Sequence, residues 1–191
     1  MSRIVVIPGS ARKESVNHKL AVHAVGVARE LGAEARLIDP REHVLPLFDQ
    51  DLEEAEGLPA AAKTIKKRLV EADGVIFCSP EYNSSVTPLM KNLIDWSSRA
   101  ESDDEPPLAA FRGKVAGLLA ASPGALGGLR GLVHLRSILG NIGMFVVPQQ
   151  FALSGAYDKF DFDGVLTDER ARSQVKAVVT QVVETTGKLA G

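Results

Sequence analysis

Three segments combine residue types that could hold a planar, partly polar ligand carrying a negatively charged group. The first is Pro8-Gly9-Ser10-Ala11-Arg12-Lys13-Glu14-Ser15-Val16-Asn17, with hydroxyls, an amide and two cations just ahead of a helix-like stretch. Free backbone N–H groups and the helix dipole favour a phosphate at such a start. Ser10, Ser15 and Asn17 can add hydrogen bonds, and Arg12 can neutralise charge. An ordinary capped loop would use the same serine and asparagine types. The segment has neither Gly-x-Gly-x-x-Gly nor the Walker pattern ending in Gly-Lys-Ser/Thr, which disfavours classical dinucleotide and nucleoside-triphosphate sites.

The second segment runs from Ser79 to Trp96 and contains Pro80-Glu81-Tyr82-Asn83-Ser84. A planar ligand needs an aromatic or apolar wall for its face and backbone donors or acceptors for its edge, and this stretch supplies both. Tyr82 could equally be a half-buried surface tyrosine, while Lys91, Asp95 and Trp96 read better as helix-face residues. The third segment, Ala121-Ser122-Pro123-Gly124-Ala125-Leu126-Gly127-Gly128-Leu129-Arg130, has three glycines before a helix. Glycine lets main-chain N–H groups approach a ring closely, although Gly127-Gly128 could also serve only the turn.

Other chemistries have less support. Neither Ser10 nor Ser122 lies in Gly-x-Ser-x-Gly, and none of the four histidines (His18, His23, His43, His134) has a triad-like context. No His/Cys/carboxylate cluster has metal-ligand spacing. The single cysteine, Cys78, sits in an apolar run and reads as a core thiol.

Loops of this kind need a scaffold, and the apolar runs provide one. Residues 3–7, 34–38, 74–78, 114–120 and 144–147 are candidate strands, and most lack the alternation of a half-exposed strand. Between them, helical spacing covers Leu20 to Leu31 with Gly32 as a cap, residues 59–72, a helix opened by Pro88, residues 128–140 and residues 168–189. Residues 59–72 carry Ala62, Ile65, Leu69 and Val70 on one side, and 149–166 reads as irregular. The pattern predicts an α/β fold with a five-stranded parallel sheet of order 2-1-3-4-5 and helices on both faces. In that arrangement ligands sit beyond the carboxyl ends of the strands where the winding reverses.

At 191 residues one domain is expected, spanning 1–191. A net charge of −2 with interspersed signs argues against nucleic acid, and also against a strongly acidic electron carrier. No apolar run is long enough for a membrane span or a signal-peptide core, so a cytoplasmic location is expected.

Taken in order, Gly-Ser-x-Arg-x-x-Ser-x-Asn, Pro-Glu-Tyr-Asn-x-Ser-Val with the helix that follows, and Ser-x-Gly-x-x-Gly-Gly-x-Arg resemble the NADPH-dependent FMN reductase family of the flavodoxin-like fold. The resemblance spans nearly the whole chain. It implies that Gly9, Ser10, Arg12, Ser15, Val16 and Asn17 hold the FMN phosphate, that Pro80, Glu81, Tyr82, Asn83 and Ser84 line the isoalloxazine, and that Ser122, Gly124 and Gly127 complete the site. Thr87-Pro88 stands where many relatives carry Pro-Gly, and Leu89-Met90 replaces a small residue plus leucine.

The function implied is transfer of a hydride from NADPH or NADH to bound FMN, and of electrons onward to a small acceptor such as a quinone, a free flavin, an azo compound or a metal oxyanion. No side chain need act as a proton-transfer catalyst. A homodimer or homotetramer would roof the open flavin face. Two rival readings on the same fold are an FMN electron carrier without its own NAD(P)H reaction and a regulatory protein that senses nucleotide or redox state. Arg12, Lys13 and Arg130 are the candidates for reading a 2′-phosphate.

Overall fold

In β1 (Arg3–Pro8) the side chains of Ile4 and Val6 enter one apolar cluster and those of Val5 and Ile7 another. Successive strand residues point to opposite faces, so a run that is apolar at every position belongs to a sheet covered on both sides. The computed structural model, which describes residues 1–189, has that architecture.

Along the chain β1 is followed by α1 (Val16–Glu30), β2 (Glu34–Leu37), α2 (Gln50–Glu56), α3 (Ala60–Glu71), β3 (Gly74–Cys78), β4 (Glu81–Tyr82), β5 (Ser85–Val86), α4 (Pro88–Ser97), β6 (Val115–Ala121), α5 (Leu129–Asn141), β7 (Phe145–Leu153) and α6 (Glu169–Leu189). The main sheet is five-stranded and parallel, in the order β2-β1-β3-β6-β7. Counting only its own strands, this is the expected 2-1-3-4-5. One face is covered by α1 and α6 through Leu20, Ala24, Val175, Val179 and Val182, and the other by α3, α4 and α5 through Ile65, Leu69, Leu93, Leu132 and Leu135.

Four features depart from the sequence reading. β7 continues to Leu153, through residues read as irregular, because its pairing with β6 slips after Ala116↔Val146 and resumes at Leu118↔Gln150. Pro148 falls in that slip, where a residue without an N–H is tolerated. α2 went unforeseen because it buries none of its residues and so has no apolar stripe; Asp49 starts it by accepting from the Asp51 N–H at 2.8 Å. Val70 points to solvent, and the stem of Lys66 takes a buried place on α3. The Lys66 ammonium donates to the Arg99 carbonyl and to Glu105, each at 2.6 Å, and so ties down the charged loop that follows α4.

The fourth departure is a small antiparallel hairpin, β4 with β5, whose two-residue turn is Asn83-Ser84. Both turn residues have positive φ, 50° and 66°. Two left-handed central residues are what a type I′ turn requires, and the usual second residue there is glycine. Serine at that position hid the hairpin from the sequence pattern.

Candidate functional site

The three loops leave adjacent strands and are knitted together at the carboxyl edge of the sheet. The ladder continues into them: Gly9 N–H donates to the Cys78 carbonyl at 2.9 Å, Ser79 N–H to Leu119 at 2.9 Å, and Ser122 N–H to Leu153 at 3.0 Å. With strands about 4.8 Å apart, loops from β1, β3 and β6 span a shelf of roughly 10 Å. That shelf lies at the reversal of winding between β1 and β3.

In the first loop Ser15 is the N-cap of α1, its hydroxyl accepting from the His18 N–H at 3.2 Å. The N–H groups of Val16 and Asn17 lie in the first helical turn, where no carbonyl four residues back exists to receive them. Ser10 is buried and its hydroxyl accepts from the Arg12 N–H at 3.3 Å. Arg12 and Lys13 are exposed and form no ion pair among the described residues. This is the chemistry of a phosphate cradle: backbone donors, a hydroxyl and free positive charge.

The side chain of Asn17 is spent elsewhere. Its amide donates to the Ala121 carbonyl at 2.7 Å and its oxygen accepts from the Ala121 N–H at 2.9 Å, both bonds buried. Asn17 therefore splices the start of α1 to the end of β6. Its backbone N–H, in the first helical turn, is left without an intrahelical acceptor.

Beside the first loop, Asp39 binds the Arg41 guanidinium through Nε at 2.9 Å, and Arg41 also reaches His18 Nε2 at 2.9 Å. Burial alone would raise the Asp39 pKa, but the Arg41 hydrogen bonds outweigh it and hold the carboxyl below its ordinary range. Burial, with Arg41 adding to it, pushes the His18 pKa down. His18 is then neutral at pH 7. Its 3.8 Å approach to Asp39 is not an ion pair, because an arginine can only donate and the imidazole must accept from it.

The first and second loops share Thr87. Its hydroxyl donates to the Gly9 carbonyl at 2.8 Å and accepts from the Met90 N–H at 3.2 Å as the N-cap of α4. The Thr87-Pro88 departure from the family pattern thus serves as a helix start and a tie. Asn92 and Trp96 on the same helix bind the Pro46 carbonyl, each at 2.8 Å, which makes them architectural.

Along the hairpin, side chains alternate. Tyr82 is exposed, whereas the Glu81 carboxylate turns into the protein. It accepts from the N–H groups of Arg130 and Gly131 at 3.0 and 3.2 Å and from the Arg130 guanidinium at 2.9 and 2.5 Å. Burial would raise the Glu81 pKa, yet the Arg130 and Gly131 bonds prevail and keep it below the usual carboxylate range. Glu81, expected along a ring, touches α5 instead, and Arg130 is engaged by it.

The glycines of the third loop divide by role. Gly127 has φ +63°, and a Cβ there would lie 2.7 Å from backbone atoms of Ala152 and Leu153. It serves the turn and its packing on β7. Gly124 is exposed and a Cβ would meet only the Ser122 hydroxyl, at 3.6 Å. The space beside its Cα is open, while its N–H donates to the Ser122 hydroxyl at 3.2 Å and its carbonyl accepts from the Gly127 N–H at 3.2 Å. Cys78 lies fully buried under the loops and is no nucleophile, since burial raises its thiol pKa far above neutrality.

These residues fit FMN. Phosphate donors stand at the start of α1, the Tyr82 ring and hairpin backbone offer a wall, and Ser122 with Gly124 offers a polar edge with space above it. Among the described residues no helix is long and apolar enough to cross a membrane, and no group of three His, Cys, Asp or Glu could hold a metal ion.

Known proteins resemble this chain over nearly its whole length. The family model described as NADPH-dependent FMN reductase matches residues 2–158. An NAD(P)H:quinone oxidoreductase of Solanum tuberosum is 34% identical over 99% of this chain and 95% of its own length. An NAD(P)H-dependent FMN reductase of Pseudomonas aeruginosa is 33% identical over 91% of this chain and 89% of its own. Among solved structures, the flavoenzyme NAD(P)H:(acceptor) oxidoreductase FerB of Paracoccus denitrificans superposes with a TM-score of 0.82, at 28% identity and 98% coverage of both chains. Relatives named as oxidoreductases and reductases set aside the electron-carrier reading. The chain belongs to the NADPH-dependent FMN reductase family and is an NAD(P)H-dependent oxidoreductase of the flavodoxin-like fold.

Proposed function

We propose that residues 1–191 form one FMN-binding unit, which oxidises NADPH or NADH and reduces a small acceptor in a second half-reaction on the same face of the site. The observation that carries this reading is the convergence of the loops after β1, β3 and β6, with unpaired amide donors and free positive charge on the first and open space beside Gly124 on the third. FMN, when bound, would supply the redox chemistry of hydride acceptance and electron donation.

The protein's share is binding and orientation. Ser10, Ser15, Arg12 and the amides of Val16 and Asn17 hold the phosphate. The backbone of Pro80 to Ser84 and the Tyr82 ring fix the plane of the isoalloxazine. Ser122 and Gly124 border its edge, and Pro80 and Met90 pack closely against Gly9 in the first loop. No titrating side chain is required at the reacting atoms. A quinone is the first acceptor to try, because relatives carry that name.

In this reading the enzyme works in the cytoplasm as a homodimer or homotetramer, with a second subunit roofing the open face. Candidate contacts are the exposed Leu129 and Val133 of α5, together with Tyr157 and Phe162 beyond β7. Initial rates with NADPH and a benzoquinone varied together should give parallel double-reciprocal lines, because reductant and acceptor use the site in turn. Intersecting lines with FMN tightly bound would contradict the shared face.

A further inference from the structure

The N-terminus of α5 has no cap of its own. Its N-cap residue is Gly128, at φ 95°, which has no side chain to offer the first-turn N–H groups. The bonds a capping side chain would accept are those of the second and third helical residues, here Arg130 and Gly131. Both go to Glu81, which lies 49 and 50 positions earlier on the hairpin.

Three further observations show that hairpin and helix are built to sit together. The Glu81 carboxylate side chain is only 9% exposed, and it is also clasped by the guanidinium of Arg130. A Cβ on Gly131 would stand 3.1 Å from the Ser85 carbonyl and 3.4 Å from the Glu81 Cβ, so the absence of a side chain there admits the hairpin. One turn on, His134 Nδ1 meets the Ser85 hydroxyl at 2.9 Å.

We infer that Glu81 is a positioning residue that caps α5 from the hairpin and fixes the hairpin and the 122–128 loop as a single wall of the flavin site. It acts on FMN through the backbone it holds in place, and its side chain does not touch the ring. The inference rests on the reading of this crevice as the FMN site. The positive φ values at Asn83 and Ser84 fit the same role, since a strained turn persists only where its surroundings hold it.

The test compares E81A, E81Q and R130A in the full-length chain, stripped of flavin and then titrated with FMN. Amide hydrogen exchange at Arg130 and Gly131 is measured before FMN is added. E81A is expected to speed exchange at those two amides at least tenfold and to raise the Kd for FMN at least tenfold. E81Q, which keeps an oxygen of similar reach, is expected to recover most of both. R130A, which leaves the two backbone bonds in place, is expected to weaken FMN binding less than threefold.

Unchanged exchange in E81A overturns the cap. Weaker FMN binding without faster exchange overturns it in favour of direct contact, and faster exchange with unaltered FMN binding overturns the link between cap and cofactor. A wild-type chain that binds no FMN would refute the functional reading instead, while the exchange comparison would still report on the cap.

Discussion

Replacing Gly127 with alanine is expected to cost about 3 kcal/mol of stability and to abolish tight FMN binding. A left-handed residue with a Cβ costs about 1–2 kcal/mol and overpacking a further 1–3 kcal/mol. Here the added methyl meets backbone at 2.7 Å, which cannot swing aside as a side chain can. For a chain of this size the melting temperature should fall by about 6–12 °C. Gly124→Ala is the matched control. Its Cβ has space, so stability should stay within about 0.5 kcal/mol of wild type. FMN affinity should nevertheless fall, because the methyl occupies the open edge. Thermal melts and FMN titrations of the pair check both halves, and a Gly127→Ala protein that melts with wild type would refute the packing argument.

The second large effect is expected at Asn17. Asn17→Ala leaves the N–H and the carbonyl of Ala121 buried without partners, and each such group costs about 1–3 kcal/mol. A loss of about 2–6 kcal/mol follows, read as a lower urea midpoint with an unchanged slope. Asn17→Asp keeps an acceptor for the Ala121 N–H but sets a buried carboxylate against the Ala121 carbonyl, so at neutral pH it should lose at least as much stability as alanine. Because the splice sets the start of α1, both variants should also bind FMN more weakly; if stability drops while FMN affinity holds, the splice is structural alone.

Much of the fold was legible in the sequence because its physics is local. A run such as Ile4-Val5-Val6-Ile7 is apolar at every position because helices cover both faces of β1, and Pro88 sets the start of α4 by its own geometry. The parts missed lack local signals. α2 has no buried face, the continuation of β7 beyond residue 147 runs through Pro148 and two glutamines at the sheet edge, and the hairpin turns on Asn83-Ser84 without glycine.

The candidate site divides along the same line. Which loops matter follows from strand order alone, and the phosphate donors follow from helix geometry at Ser15 to Asn17. What each side chain does depends on partners far along the chain. Glu81 finds Arg130 and Gly131, Asn17 finds Ala121, and Gly127 abuts Ala152. A motif names such residues without saying whether they face the ligand or the scaffold. In each of these three the structure turns the side chain, or the position a Cβ would take, to the scaffold.

The most direct measurement is an anaerobic titration of the protein as purified without added flavin. The preparation should be yellow with one FMN per chain. NADPH or NADH should bleach that absorbance within one turnover, and a benzoquinone should restore it. A colourless protein that takes up no FMN on reconstitution, or a yellow one whose colour survives both nicotinamides, would contradict the account.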